Sequence, residues 1–383
     1  PAMRGEGGGA KRLSEIALRY KMRDAAQWLT SARGVEHCGR RLANPMDRFS
    51  VSLRVHVGTG RPSFGGLARC NSIWECPVCA PRVQAGRAEE LRELNAAHVA
   101  AGGALYMATL TLPHNEGDAL RPLRVHVAKA WSAIKSGAPW QRWKARLGLV
   151  GDVRALEVTH GPNGWHPHLH AALYTLAGVD DGTLEQFEEW LWLRWCAVLQ
   201  RRTRAAGRVY RMPSREHGVR VEPLRQADYL AKMGLAHETS SSWTKEGRAG
   251  HRTPMQILRD IALGAGDPER RQADISLWRH YARAMKGARQ LIYSRGLRAR
   301  YALGDPLEDA ELPDTQDDLE GLSDAEHETV YSFDAREWDD ILAGGVGVRV
   351  RLLAVPLRVE RALWQDAVLK ILDAARGLPA VPF

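Results

Sequence analysis

The chain has 383 residues, 44% of them hydrophobic, and a formal net charge of +9. That is enough chain for one large domain or two to three smaller ones. No apolar run approaches the roughly 18 residues of a membrane span and no charged-then-apolar leader opens the sequence, so a cytoplasmic protein without a membrane partner is expected.

The charge is unevenly spread. Residues 305–340 hold 15 Asp/Glu against the single Arg336, a local balance of −14 that leaves +23 on the remainder. A body so basic points to a polyanionic partner, nucleic acid ahead of a membrane surface. Five cysteines without a secretion signal argue against a disulfide framework.

Taken in chain order, residues 1–36 read as a basic, helix-prone arm without a clear core pattern. Residues 37–100 form a Cys-, Gly- and Pro-rich module interrupted by the strand-like VSLRVHV (51–57), with a helix from Pro81 to about Val99. A regular alternation follows over 101–240. Strands are expected at Leu105–Leu112, Val153–Thr159, His168–Thr175 and Gly218–Leu224, and helices over 119–136, Leu184–Arg204 and about 225–236. The order β-α-β-β-α-β is that of a split-βαβ, ferredoxin-like unit, so the fold class is α+β, an antiparallel sheet with two helices on one face. Residues 241–304 read as a basic helical extension, 305–344 as an acidic solvated linker, and 345–383 as a small segment of a strand and a helix.

The chemistry concentrates in His166-Pro167-His168-Leu169-His170. On a strand His168 and His170 point to one face, close enough to converge on a single divalent cation. Pro167 has no N–H and suits the start of the strand, which leaves His166 less firmly in register. Glu157, central in the preceding strand, can add a carboxylate to make a two-His-one-carboxylate site with open positions. Such a set suits Mg²⁺ or Mn²⁺ better than a closed structural zinc. The bland reading is a surface or core histidine pair. His114, His126 and His160 read as ordinary surface histidines.

HPHLH, the earlier TLTLP (109–113) and the later Tyr-Leu-Ala-Lys (229–232) together resemble the three ordered motifs of rolling-circle replication initiators, the single-tyrosine, plasmid-type branch of the HUH endonuclease superfamily. The resemblance covers about residues 36–300. It implies an HUH endonuclease fold in which His168 and His170, with Glu157, bind the metal and Tyr229 is the nucleophile. Lys232, three residues on, shares a helix face with Tyr229 and can favour the phenolate or hold a phosphate. The implied partners are origin DNA, single-stranded at the nick, and a host helicase and polymerase that use the freed 3′-OH. Some of these initiators use a carboxylate one helical turn before the tyrosine to end replication; that position is Arg225 here. Alternatives are a conjugative relaxase, whose tyrosine usually precedes the His motif, an HUH transposase, which often carries paired tyrosines, and a non-enzymatic zinc-dependent DNA-binding regulator. Aromatic side chains such as Trp165 can stack a base at the cleft.

Cys76-Pro-Val-Cys79 is a CxxC knuckle with Cys70 six residues upstream and Cys38 farther back. Four thiolates can close a structural Zn²⁺ site; the alternatives are buried free thiols or a redox pair. The CNSIWECPVC segment also resembles a cysteine segment of the same initiators. Cys196 falls in a helical pattern and reads as core.

Overall fold

The computed structural model describes residues 6–44, 46, 51–58, 60–207, 211–224, 250–308 and 327–376, with side chains from Leu13 onward. Tyr229, Lys232, Arg225 and the helix expected over 225–236 lie outside the described residues. In chain order the elements are α1 (Glu6–Leu29), α2 (Arg33–His37), β1 (Val51–His56), β2 (Pro62–Gly65), α3 (Cys79–Ala100), β3 (Ala104–Thr111), α4 (Leu120–Ile134), α5 (Gly137–Arg146), β4 (Leu149–Gly161) and β5 (Gly164–Thr175). They continue with α6 (Asp181–Ala205), α7 (Arg215–Gly218), β6 (Val219–Pro223), α8 (Pro254–Leu263), α9 (Pro268–Met285), β7 (Leu291–Tyr293), β8 (His327–Phe333), α10 (Ala335–Ala343), α11 (Gly345–Arg358) and α12 (Trp364–Arg376). The chain is α+β with antiparallel sheets. Among the described residues, no helix is long and apolar enough to cross a membrane.

Two compact units form. The first draws on Pro1–Gly86, Leu258–Arg279 and Asp309–Phe383, the second on Arg87–Ile257 and His280–Glu308.

The first unit holds a three-stranded sheet in the order β2-β1-β8. Val51 and Leu53 alternate inward from β1 and meet Phe64, Phe333, Trp338, Leu352 and Leu372 in one core. Here the structure departs from sequence expectation three times. α1 is more than a basic arm without a core pattern: Leu13 joins this core, and Met22, Ala26 and Leu29 are buried at the i, i+4, i+7 spacing of one helix face. The acidic stretch contributes β8 and α10, because its carboxylates work as caps. The Asp334 side chain accepts from the Glu337 backbone while the Glu337 side chain accepts from the Asp334 backbone, a complete capping box. Finally, the alternating valines of 346–350 lie in α11, where Val348, Leu352 and Val355 make a buried helical stripe. A period of 2 and a period of 3.6 coincide over so short a run, and burial along the longer stripe decides.

The second unit holds a five-stranded sheet in the order β6-β3-β5-β4-β7, every neighbouring pair antiparallel. One face carries Met107, Val153, Ala155, Ala172 and Tyr174 against Leu91 and Leu94 of α3 and Leu297. On the other, α4 packs against β5 and α6, and α6 against β6. These helices bury Leu123, Val127, Trp131, Leu191 and Trp195, each contributing about 1.5–3 kcal/mol or more by leaving water. Two indoles are fixed by hydrogen bonds as well. Trp131 Nε1 donates to Asp152 at 3.0 Å and Trp195 Nε1 to the Thr111 carbonyl at 2.7 Å.

The β4–β5 hairpin closes on Gly161 and Gly164. Gly164 has φ +85°, and a Cβ there would lie 2.9 Å from the Glu116 backbone, so only glycine fits. That turn lays β5 along β4 in the register that builds the site below.

Candidate metal centre

Register brings the residues together. Glu157 of β4 stands directly opposite His168 of β5, and Thr109 of β3 opposite His170. Residues paired across neighbouring strands share a face, so Glu157, His168, His170 and Thr109 project from one side of the sheet. Glu157 Oε2 lies 2.9 Å from His168 Nε2 and 3.2 Å from His170 Nε2. The three ligand-type atoms fall within 4.8 Å of one another, a grouping able to hold a metal ion.

The outer nitrogens of both rings are also engaged. His170 Nδ1 is 3.1 Å from the Thr109 hydroxyl, and His168 Nδ1 is 3.4 Å from the His166 carbonyl. Both Nε2–H groups donate to the ionised carboxylate here, and the partners on Nδ1 can take a proton there when a cation replaces those contacts, the tautomer that ligation requires. Burial pushes the Glu157 carboxyl up, but hydrogen bonds and positive charge from His168 and His170 outweigh it and hold the group well below the usual carboxylate range. An ionised oxygen and two imidazole lone pairs make a hard, mixed O/N set with sides left open, which fits Mg²⁺ or Mn²⁺.

His166 does fall in register, opposite Thr159, and shares the face of His168. The β3–β5 ladder ends at Thr111 and His168, so Pro167 sits where β5 has β4 alone beside it. The His166 ring belongs to a second group beside the ligand set. It stacks on His114 with centroids 4.8 Å apart and lies 6.4 Å from His251. Burial, then the neighbouring His168, His114 and His251, lower its pKa to about 3, which keeps it neutral. His114 is therefore no isolated surface histidine, and His126 is buried. Trp165 is not available to stack a base: it is 2% exposed and stacks on Tyr281. The alternation that aims His166 at the site turns Trp165 to the opposite face.

The orienting Thr109 and the His114–His166–His251 group were not singled out from sequence. TLTLP does carry a signal, since Thr109 lies two residues from Thr111 on one strand face. His251 lies far along the chain and has no such signal.

In the first unit Cys38, Cys70, Cys76 and Cys79 converge, with their sulfurs all within 4.8 Å. Cys38 Sγ lies 3.5 Å from Cys79 Sγ and 3.7 Å from Cys76 Sγ. The edge of a tetrahedron with Zn–S bonds of about 2.3 Å is roughly 3.8 Å, whereas a disulfide would need about 2.05 Å; all four are free thiols. Backbone N–H groups of Ser72 and Cys79 donate to Cys70 Sγ and Cys76 Sγ, both at 3.4 Å. Hydrogen bonds from Cys38, Cys70 and Cys76 hold the Cys79 thiol well below its ordinary pKa. The set can close around one soft cation. Cys196 is apart from it, buried in α6.

No family model and no solved structure matches the chain. It is similar to "Protein rep" of Streptomyces lividans, 28% identical over 67% of this chain and 69% of that protein. It is also similar to "Neomycin resistance protein" of Streptomyces cyanogenus, 33% identical over 33% of this chain; the match spans about a third (35%) of that protein.

Proposed function

We propose that this chain is a replication initiator of the HUH type, which nicks single-stranded origin DNA by metal-assisted attack of Tyr229. The observation that carries the reading is the convergence of Glu157 Oε2 with the Nε2 atoms of His168 and His170 on one sheet face. Two further findings support it. The order β6-β3-β5-β4, with α4 and α6 on the face away from the histidines, is what a ferredoxin-like βαββαβ unit gives. The similarity to the Streptomyces lividans "Protein rep" spans two-thirds of the chain.

Glu157, His168 and His170 would hold Mg²⁺ or Mn²⁺, which when bound polarises a phosphodiester and offsets charge developing on its oxygens. Thr109 and the His166 carbonyl keep both imidazoles aimed. The Tyr229 oxygen, deprotonated with help from the Lys232 cation, forms a bond to phosphorus. The bond to the 3′-oxygen breaks, and that oxygen takes up a proton. The products are a 5′-phosphotyrosine link and a free 3′-OH that primes a polymerase. The phosphodiester's energy is kept for rejoining a strand. Cys38, Cys70, Cys76 and Cys79 would hold a structural Zn²⁺ that stabilises the first unit.

The test is incubation of the protein with Mn²⁺ and single-stranded origin oligonucleotides, read on a denaturing gel. A covalent adduct that forms with the wild type and disappears in Tyr229→Phe and under chelation is expected. An adduct persisting in Tyr229→Phe refutes the nucleophile. Metal-dependent binding with no adduct at all would favour the DNA-binding regulator instead.

A further inference from the structure

In the second unit, on the sheet face opposite the histidines, lies a cavity of about 310 Å³. Arg154 and Leu156 come from β4, where they alternate with Glu157 and so point away from the metal-binding group. Ile292 pairs with Arg154 across β4–β7, and the Gln290 carbonyl accepts from Leu156 N at 2.9 Å, so these residues form the floor. Arg124 and Ala128 of α4, with Gly287 and Arg289, complete the lining, and no carboxylate contributes to it.

Three arginines therefore line one small cavity. Arg124 is anchored through Nε, which donates to the Ala284 carbonyl at 3.1 Å, leaving its terminal N–H groups for other partners. The side chains of Arg154 and Arg289 make no hydrogen bond or ion pair among the described residues. The charge that acts on Arg154 is Asp152, but that carboxylate already takes Lys135 Nζ at 2.8 and 2.9 Å and the Trp131 indole. Burial lowers the pKa of both Arg154 and Arg124, a sign that their charges are poorly solvated. Gln290 adds a buried amide oxygen without a partner, in a side chain that offers either donor or acceptor to a ligand. Like charges gathered at a partly buried site are unfavourable unless an anion offsets them, and fork-shaped donors suit the oxygens of a phosphate.

We propose that Arg124, Arg154 and Arg289 form a phosphate-binding pocket that holds the backbone of the nucleic acid at a point remote from the metal-binding face. That the phosphate belongs to a nucleic acid rests on the DNA-acting function proposed above and on the +23 balance of the chain outside 305–340; the pocket's affinity for an anion does not. A strand engaged at both places must pass around the edge of the sheet. The pocket would then hold a segment flanking the cleaved one and fix where along the strand the metal group acts.

The test is equilibrium binding of the full-length protein to a labelled single-stranded oligonucleotide, by fluorescence anisotropy across a salt series with no Mg²⁺ or Mn²⁺ added, so that no nicking occurs. Arg289 is exposed and its replacement leaves packing alone; Arg154→Gln removes the half-buried charge, and Arg154→Lys keeps it. Arg289→Gln and Arg154→Gln are each expected to weaken binding about tenfold and to flatten the plot of log affinity against log salt by roughly 0.7, with Arg154→Lys retaining the slope. Unchanged affinity and slope in both Gln variants overturn the pocket. If the wild type binds inorganic pyrophosphate and the variants lose it while oligonucleotide binding is untouched, the assignment to a nucleic acid is overturned. Because binding is read without metal, a protein that never nicks can still pass this test, and one that nicks normally can fail it.

Discussion

Glu157 and His168 face each other as direct partners in the β4–β5 ladder, and their reactive atoms meet at 2.9 Å. The contact sits on paired backbone, not on a loop, so the carboxylate and the imidazole are held by the same hydrogen bonds that hold the sheet. Replacing Glu157 with Gln keeps the shape and removes the anion. Mn²⁺ affinity, followed by the paramagnetic signal of the free ion, is expected to fall by ~100-fold or more, beyond the range for loss of an outer partner. Far-ultraviolet circular dichroism should be unchanged. Wild-type affinity in Glu157→Gln would remove the carboxylate from the ligand set.

Thr109 holds His170 from behind, with its hydroxyl 3.1 Å from Nδ1. Thr109→Val preserves the β-branched shape and deletes the hydrogen bond. Mn²⁺ affinity is expected to drop about 10- to 100-fold, with Thr109→Ser restoring most of it. An effect equal in both variants would mean that packing, and not the hydroxyl, matters there.

What could be read in the sequence depended on how local the deciding interaction was. His168 and His170 were legible because alternation on a strand leaves them no other relation, and Glu157 because one short hairpin joins its strand to theirs. Thr109 required the β3–β5 register, which no local pattern prescribes. His251 reaches the site through the bridge between His160 and Arg252, a contact of segments far apart in the chain. β8 was hidden by its acidic neighbours, although Tyr331 and Phe333 already alternate at period 2. Trp165 was misread because its neighbours carry the chemistry, whereas parity sends it to the other face.

Four sulfurs at near-tetrahedral spacing lead to a prediction about stability. Freshly purified protein should contain about one zinc per chain by elemental analysis, and Cys79→Ser should lose it. Because structural zinc contributes its binding energy to folding, a strong chelator should lower the thermal midpoint of the wild type and leave that of Cys79→Ser unmoved. An identical response to chelator in both proteins would show that the cysteines hold no metal.

His98 carries a pH dependence. Burial lowers its pKa from the ordinary 6.5, while hydrogen bonds to the Ala104 carbonyl and its contact with Tyr301 keep the ring in place. The folded protein therefore keeps His98 neutral where the unfolded chain takes a proton. Its contribution is fully present above pH 6.5 and is lost as pH falls below it, by at most about 1.4 kcal/mol per pH unit. Urea unfolding at a series of pH values should show the wild type losing stability toward acid more steeply than His98→Gln. Parallel curves would contradict this.

Trp131 lies at the centre of the helical face, fully buried between α4 and the sheet, with its indole N–H on Asp152. Trp131→Ala removes one of the largest side chains from that layer and one of the carboxylate's donors, though Lys135 still neutralises Asp152. The expected cost is about 3–5 kcal/mol, mostly cavity and lost apolar burial. Trp131→Phe retains the ring volume in large part and gives up the hydrogen bond, so it should cost markedly less. If both variants lose the same amount in urea unfolding, the bond to Asp152 dominates, and the α4 face is held by its polar anchor rather than by packing.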